Sequence, residues 1–582
     1  HPQMAAEEVS GVPQQFCDPS LFATPKSLSV SGGTAAFFEV KYAGPPSGPQ
    51  AQRYGKTPNY WIGKDLARAR DEIDFYEGIS RLPPSFRLIH KWAMDYGGVL
   101  VKQCLVGGAL EPDPRQLLLL ENLRDGKQSL RMLDIKLGNV TAVQGWKGKS
   151  FTGTLTNRFV DYVSTSNQRG NRLEGFDNPP QTLQTRMDGP PQACFGIDRS
   201  KKYKRLCLQR LSTVEALANF AEMADMQTTA GANSLSSIEY SEALLYDLAL
   251  QLSELCYDSR NMPVPQMWIG SSLGVCCDGG SAPSRSKVEP LKQGKSGKLA
   301  LVRIFDWGRS ELGTHSSYAA LSHEDQEERI LRWRQWHQAL VRILVSCLTA
   351  YYRQFLWNAK EPRPFRGEIR FELWDADTLE ENDYIGCVSL PLAPTRGRVQ
   401  VDISGENLVG LDACSLLARA AAEGPFMCSD EVSTLEIEVE EGHVPRGSRL
   451  EKIWYITVHG VYGVPHRDLF SASDPVVHVQ ITSDSLMRGP MVSTPTIWDV
   501  QDAEFGTRLE FGVVRQDLEH HIFNDMSRIW AGTISPDMFR KVTQAMLDLE
   551  DPATALDRLE EADEEYEHDA VLDEFLHLTD WI

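Results

Sequence analysis

The first part of the chain has the apolar spacing of short strands, and later parts have that of long helices. Residues 37–42 (FFEVKY) predict a strand with one lysine, Lys41. Such a lysine either faces a polar site or keeps its ammonium in water at a sheet edge, and the pattern allows both. Further strands are predicted at residues 99–106, 116–120 and within 129–139, and helices at residues 65–80, 213–225, 241–255 and 323–352.

The connections and the core are also visible in the pattern. Residues 43–58 are rich in proline and glycine and predict a loop, as do residues 277–297. In the last predicted helix, Trp333, Trp336 and Leu340 recur at helical spacing, which predicts core packing.

Composition limits the function classes. A chain of 582 residues predicts two to four domains. The net charge of −21 argues against general nucleic-acid binding, which needs a basic face. The 11 cysteines form no C-x-x-C pair, which favours a reducing, cytoplasmic setting. The N-terminus lacks the features of a signal peptide, and no apolar run reaches membrane-spanning length, so membrane contact is expected to be peripheral.

A D-x-K-x-G unit lies at Asp134, Lys136 and Gly138. In a strand, Asp134 and Lys136 point to the same face. The carboxylate would deprotonate or hold a hydroxyl, and the ammonium would hold phosphate charge. A solvated surface pair is the alternative that the unit alone leaves open.

Four further motifs accompany this unit. They are E-I-D-F-Y at residues 72–76, S-T-S…G-x-R-x-x-G at residues 164–175, W-I-G-S-S-L-G-V at residues 268–275 and I-F-D-W-G at residues 304–308. Together with E-N-L at residues 121–123, their order resembles the inositol polyphosphate kinase family, over about residues 31–352. Leu130 stands where that family's D-x-K-x-G motif has a leading proline.

The resemblance implies a two-lobed α+β fold like that of protein kinases and ATP-grasp enzymes, with ATP and Mg²⁺ as cofactors. Asp134 would lie near the ribose or the acceptor hydroxyl, and Lys136 would hold the inositol phosphate. Asp306 would bind the metal. The remaining nucleotide contacts implied are Lys41 with its partner Glu72, Glu121 and Leu123 at the hinge, and Ser272 beside the metal.

Basic residues follow the D-x-K-x-G unit. Lys147, Lys149 and Arg172 are expected to line the site of a polyphosphorylated inositol. The denser basic run at residues 199–205 is better explained as a solvated loop.

The composition changes after residue 360, and residues 368–392 resemble the second half of a C2 domain. Asp375, Asp377 and Asp383 match the D-x-D-x5-D spacing of its calcium loop, and oxygen ligands select Ca²⁺. A solvated acidic turn is the weaker alternative. From Trp454 a second C2-like segment begins, with Asp468 and Asp474 at ligand positions and a degraded third loop near residues 522–525. An antiparallel β-sandwich is therefore expected after the kinase-like part.

The expected organisation assigns each stretch to one unit. It comprises an extension at residues 1–30, an N-lobe at 31–123, a C-lobe at 124–360, a partial C2-like unit at 365–445, a second at 450–545 and an acidic helix or tail at 546–582.

Two functions are compatible with these features. The first is an ATP-dependent inositol phosphate kinase whose C2-like units dock on a membrane or a partner protein. The second is a catalytically inactive, kinase-like scaffold that uses the same units for assembly.

Overall fold

The computed structural model describes most of the chain up to Val514. The described residues are 15–28, 36–67, 70–138, 170–188, 208, 211–223, 234–293, 295–357, 367–376, 383–403, 432–448, 450–465, 473–483 and 488–514. The predicted extension at residues 1–30 lies partly outside these ranges, and the predicted tail at 546–582 lies wholly outside them.

The N-terminal part forms a seven-stranded sheet. Its strands are β1 (Lys26–Leu28), β2 (Phe37–Val40), β3 (Trp61–Asp65), β4 (Tyr96–Lys102), β5 (Leu105–Val106), β6 (Ala109–Leu110) and β7 (Arg115–Glu121), in the order β4-β7-β3-β2-β1-β5-β6. Neighbours are antiparallel except β1 and β5. The helices here are α1 (Pro49–Tyr54), α2 (Ile73–Ile79) and α3 (Arg87–Trp92), with 3-10 turns at Pro19–Leu21 and Arg70–Glu72.

A four-stranded antiparallel sheet follows. It contains β8 (Leu130–Leu137), β9 (Asn171–Asp177), β11 (Ser272–Asp278) and β12 (Leu301–Phe305) in the order β12-β11-β8-β9, and a separate pair joins β10 (Met267–Trp268) to β13 (Ser310–Glu311). Its helices are α4 (Gln181–Asp188), α5 (Thr213–Ala221), α6 (Ser237–Arg260), α7 (His315–Ala319) and α8 (His323–Gln354), with 3-10 turns at Arg285–Val288 and Pro290–Gln293.

The long helices α6 and α8 pack together in the main core. The stripe of Trp333, Trp336 and Leu340 on α8 is fully buried there, which confirms the predicted packing. Among the described residues, no helix combines the length and the apolar composition that crossing a membrane requires.

The C-terminal part is a β-sandwich. One sheet has the order β14-β22-β19-β18-β17 and the other β16-β15-β20-β21. The strands are β14 (Phe355–Trp357), β15 (Gly367–Asp375), β16 (Asp383–Pro391), β17 (Val399–Ile403), β18 (Ser433–Gly442), β19 (Leu450–Tyr462), β20 (Pro475–Ser483), β21 (Arg488–Ser493) and β22 (Ala503–Val514).

The sandwich differs from the two successive C2-like units expected at residues 365–445 and 450–545. Strand β15 from the first segment pairs with β20 from the second, and β18 pairs with β19. The inward-facing residues of both segments form one hydrophobic core. Each segment supplies only part of each sheet, so neither could bury its apolar face alone.

The sandwich also joins the main core. Strand β14 continues directly from α8 and runs parallel to β22. Phe355 and Ile453 belong to the main core. A Cβ on Gly512 would lie 3.2 Å from both Ile238 on α6 and Phe355, so the absence of a side chain on Gly512 allows close contact.

Two local predictions near the N-terminus were wrong. The predicted loop at residues 43–58 contains α1, and the predicted helix at residues 65–80 starts only in the turn Arg70–Glu72. The residues just before it form the unpredicted strand β3, which is buried along its whole length because it lies between β2 and β7.

Asp247 on α6 holds the segment that leads into β12. Its side chain is fully buried, and its carboxylate accepts the backbone N–H groups of Gly297, Leu299 and Ala300 at 2.8–2.9 Å. These donors would otherwise be buried without partners, so Asp247 fixes the start of that strand.

We expect Asp247→Ala to lower the free energy of unfolding by about 3 kcal/mol, because three buried donors lose their acceptor. Glu254→Ala on the same helix removes only surface ion pairs with Arg87 and Lys91 and should cost less than about 1 kcal/mol. Urea denaturation followed by circular dichroism measures both. Equal losses would contradict the role of Asp247.

Candidate functional site

Lys64 is a buried lysine on the central strand β3. Its Nζ donates to Glu72 Oε1 at 2.5 Å and to Asp306 Oδ1 at 2.9 Å. Only about 10% of its side chain is exposed. A buried ammonium is stable only with such partners, and the two carboxylates raise the pKa of Lys64 despite the opposing effect of burial.

Asp306 connects the two N-terminal sheets. It follows the last residue of β12 and has a left-handed backbone conformation, with φ of 64°. Its Oδ2 accepts a hydrogen bond from Lys136 Nζ at 2.9 Å, while its Oδ1 binds Lys64. One carboxylate thus bridges a lysine of the seven-stranded sheet and a lysine of the four-stranded sheet. The Asp306 side chain is about a third exposed, more than either lysine.

Strand register places Lys136 beside Ser272. The two residues are opposite each other on β8 and β11, and Lys136 Nζ donates to Ser272 Oγ at 3.1 Å. Lys64, Glu72, Lys136, Ser272 and Asp306 form one connected network, called here the lysine–aspartate network.

Asp134 lies two residues before Lys136 on β8. Its cross-strand neighbours are Gly274 on β11 and Gly175 on β9, neither of which adds a side chain. Its Oδ1 is buried and has no hydrogen-bond partner. Burial raises the pKa of Asp134 to about 7, with Asp306 and Glu174 adding to the shift and Lys136 and the Ser272 hydroxyl opposing it.

The charges of the network are arranged so that one carboxylate is ionised most easily. Burial disfavours ionisation of Asp306, but the ammonium groups of Lys136 and Lys64 outweigh it and lower the pKa of Asp306 well below its ordinary value. Glu72 is more deeply enclosed, and burial raises its pKa although Lys64 opposes the shift. Asp306 is therefore the carboxylate of the network that stays ionised, and its side chain is more exposed than that of either lysine.

The expected pairing of Lys41 with Glu72 was wrong. Lys41 lies just after β2, is about half exposed and pairs with Glu39 at 3.3 Å. Glu72 binds Lys64 instead, because β3 brings the Lys64 ammonium within hydrogen-bond distance of both Glu72 and Asp306. Lys64 was missed in the sequence, although the aromatic and β-branched pair Trp61-Ile62 before it is typical of a strand.

The expected hinge residues lie at the end of β7. Glu121 forms a two-pronged ion pair with Arg303 on β12, at 2.7 and 3.0 Å. Leu123 is buried, and its carbonyl accepts a hydrogen bond from Lys127 at 2.7 Å. The Glu121 side chain is thus engaged by the protein, and contact of these residues with adenine stays a prediction.

One expected substrate residue lies beside the network. Arg172 on β9 is opposite Lys136, is almost fully buried and donates to Glu174 at 2.7 Å. Lys147 and Lys149 lie outside the described residues, as does the S-T-S stretch at residues 164–166.

Two of the expected calcium ligands lie next to each other where β15 pairs with β20. Pairing of β15 with β20 brings Asp375 and Asp474 together, and Asp375 Oδ1 accepts the backbone N–H of Asp474 at 2.5 Å. Asp474 Oδ1 in turn accepts the N–H of Asp499 at 2.6 Å. Asp377, Asp468 and the side chain of Asp383 are outside the described part of the chain. Within that part, no group of three His, Cys, Asp or Glu residues is arranged to hold a metal ion.

The raised pKa of Asp134 predicts how stability depends on pH. The folded-state pKa of about 7 lies above the ordinary 3.8, so the stabilisation from proton binding is fully present below about pH 4 and is lost as pH rises through 7. Asp134→Asn carries no such proton. As the pH rises from 5 to 8, we expect the free energy of unfolding of this variant to increase by about 1–3 kcal/mol relative to that of the wild type.

Urea titrations at several pH values measure this difference. Asp113→Asn, in the exposed loop before β7, is the control and should follow the wild type throughout. Parallel pH curves for Asp134→Asn and the wild type would show that the Asp134 carboxyl ionises in its ordinary range.

The comparisons with known proteins give two kinds of match. A family model for the C2 domain matches residues 334–404, a span that begins within α8 and continues through β17. This match agrees with the C2-like character expected of the first sandwich segment. A search of curated proteins finds no match.

Solved structures of inositol phosphate multikinases are among those similar to this chain. One is Ipk2 of S. cerevisiae in complex with ADP and Mn²⁺, at 18% identity and a TM-score of 0.32, covering 50% of this chain and 98% of that one. Another comes from structural studies and protein engineering of inositol phosphate multikinase, at 15% identity and a TM-score of 0.28, covering 47% and 97%.

Proposed function

We propose that this protein is an ATP-dependent inositol phosphate kinase. The observation that carries the proposal is the lysine–aspartate network. Asp306 binds Lys64 and Lys136, which lie 242 and 170 residues before it in the chain. Three of the motifs shared with the family, at residues 72–76, 134–138 and 304–308, thus contribute charged groups to one place, and the strand β3 adds the lysine.

Lys64 is the group proposed to hold the ATP phosphates. Glu72 fixes its ammonium from the protein side, and Asp306 contacts it from the side that is more exposed. A phosphate oxygen can accept a hydrogen bond from the Lys64 ammonium in the same way that Asp306 Oδ1 does. Glu121 and Leu123 at the end of β7 would lie towards the base.

The residues present fit a divalent cation of the Mg²⁺ type. Mg²⁺ is commonly bound through one or two carboxylates, with substrate phosphates and water supplying other ligands. Asp306 supplies an ionised carboxylate, and the buried Oδ1 of Asp134 has no hydrogen-bond partner. When bound, the ion would neutralise charge on the transferred phosphoryl group. Asp306 would hold it, with Ser272 nearby.

Asp134 and Lys136 are proposed to act on the acceptor. The inositol hydroxyl oxygen would attack the terminal phosphorus of ATP, the bond to the ADP oxygen would break, and the hydroxyl proton would pass to Asp134. A carboxylate whose pKa is raised to about 7 accepts a proton more readily than an ordinary one. Lys136 would hold phosphate charge on the inositol, with Arg172 behind it, and Lys147 and Lys149 would complete that wall.

The sandwich is proposed to dock the protein on a membrane surface or a partner, as its C2 match suggests. Ca²⁺ binding there would use Asp375 and Asp474, which lie in one sandwich, together with Asp377, Asp383 and Asp468. The expected location is the cytoplasm, with peripheral attachment.

Incubation of the full chain with labelled ATP, Mg²⁺ and a panel of inositol phosphates tests the proposed reaction. We expect transfer to at least one member of the panel and a fall of at least about a hundredfold in Asp306→Asn, because the metal-binding carboxylate is lost. Asparagine tolerates the left-handed backbone of residue 306, so the turn itself should be kept. Urea denaturation of the same variant measures the stability lost when Lys64 and Lys136 no longer share a negative charge. Absence of transfer to every acceptor by the wild type would favour the scaffold function.

Comparison of two lysine variants decides which lysine holds ATP. Lys64→Met should weaken Mg-ATP binding by about 10-fold to 100-fold, since a charge-assisted hydrogen bond is lost. Lys41→Met should change it by less than about twofold, because this lysine is half exposed and pairs on the surface. Isothermal titration calorimetry measures both.

A second variant guards against a folding defect in this comparison. Lys64→Met leaves Glu72 buried without its lysine, so the double variant Lys64→Met/Glu72→Gln, which removes both charges, should bind ATP as weakly while folding better. A larger loss in Lys41→Met than in the Lys64 variants would overturn the assignment.

A further inference from the structure

Two aromatic rings form a buried stack beside the lysine–aspartate network. The Phe75 ring and the Trp307 indole lie nearly parallel, at an interplanar angle of 9° and a centroid separation of 4.1 Å. Trp307 has no exposed surface, and Phe75 is 2% exposed. Trp268 packs its edge against both rings. We call Phe75 and Trp307 the aromatic stack.

Each ring lies close in sequence to one of the two acidic residues that bind Lys64. Phe75 lies in α2, three residues after Glu72, and Trp307 directly follows Asp306. The two carboxylates therefore approach the same ammonium from two segments, and the Phe75–Trp307 ring pair joins these segments directly. A shift of α2 against the turn after β12 would separate the rings and change the spacing of the carboxylates.

The conformation of Asp306 needs such support. A left-handed backbone costs some energy at an aspartate, although less than at most other residues with a side chain, so contacts on either side help to maintain it. The Trp307 carbonyl accepts the N–H of Ser310 at 2.8 Å, and Ile304 forms a bridge with Ala93, so both sides of Asp306 are anchored. The Trp307 indole is fully buried, so the turn could not rotate without displacing it from the core.

We propose that Trp307, stacked on Phe75, is a positioning residue that aims the Asp306 carboxylate at the cation carried by ATP. The inference rests on the proposed function. The Asp306 side chain is about a third exposed, so a cation reaches it from the open side, whereas the ring that sets its direction lies on the buried side. Loss of the ring would weaken cation-dependent binding of ATP more than it weakens the fold.

The chain offers a matched control for this ring. Trp333 stacks on Trp336 at the same interplanar angle of 9°, with a centroid separation of 5.0 Å. It is 1% exposed and, like Trp307, meets the edge of Trp268 at 5.0 Å. Trp333 belongs to α8 and contacts none of the network residues through any described hydrogen bond or ring contact, so its truncation removes similar packing without touching Asp306.

The test measures ATP binding by the full chain as a function of Mg²⁺ concentration, using calorimetry without acceptor so that turnover plays no part. Trp307→Leu should raise the Mg²⁺ concentration for half-maximal ATP binding about tenfold. Trp333→Leu should move it less than about twofold, although urea denaturation should show a comparable loss of stability. Trp307→Phe, which keeps a ring on Phe75, should restore most of the Mg²⁺ response.

Two further arms keep the outcomes distinct. If Trp307→Leu does not fold, Phe75→Leu breaks the same stack from α2 and should give the same shift. Equal Mg²⁺ shifts in the Trp307 and Trp333 variants, or none in either, would overturn the positioning role while wild-type ATP binding stands. Failure of the wild type to bind ATP at any Mg²⁺ concentration would instead overturn the proposed function on which the inference rests.

Discussion

The structure depends on one carboxylate that two buried ammonium groups share. Lys64 and Lys136 come from different sheets, and without a negative charge between them they would repel each other in a poorly solvated place. Asp306 satisfies both, one with each oxygen atom. These three charged groups therefore hold the seven-stranded and four-stranded sheets together. In the proposed function, phosphate oxygens of the nucleotide would take the place of Asp306 as partners of Lys64.

The position of that carboxylate depends on contacts far from it. Strand β12 delivers Asp306, and Asp247 on α6 fixes the segment before β12. The first turn of α6 in turn touches the sandwich, where Ser237 donates a hydrogen bond to Glu510 and Ile238 packs close to Gly512. The sandwich is therefore continuous with the core that supports the network, and it is not an appendage on a linker.

Local pattern predicted those elements whose own residues decide their structure. The strand with Asp134 and Lys136 and the helix with Trp333 and Trp336 both lie where the spacing placed them, because each buries a face that its own sequence defines. Strand β3 was missed because it contains Gly63 and Lys64, which weaken a strand pattern. Its burial comes from neighbouring strands on both sides. Lys41 was predicted to be the ATP-contacting lysine because it lies in the apolar strand predicted at residues 37–42.

The sequence by itself determined the chemical groups and their order: a D-x-K-x-G strand, an acidic residue before an aromatic helix, an aspartate at a strand end, and segments of C2 character. Tertiary structure decided which lysine meets Glu72 and that the two C2-like segments form one sandwich. The reason is physical. A buried charge takes the partner that the packing brings within hydrogen-bond distance. A segment with an incomplete sheet pairs with the strands that complete its core. Residue spacing along the chain predicts neither of these contacts.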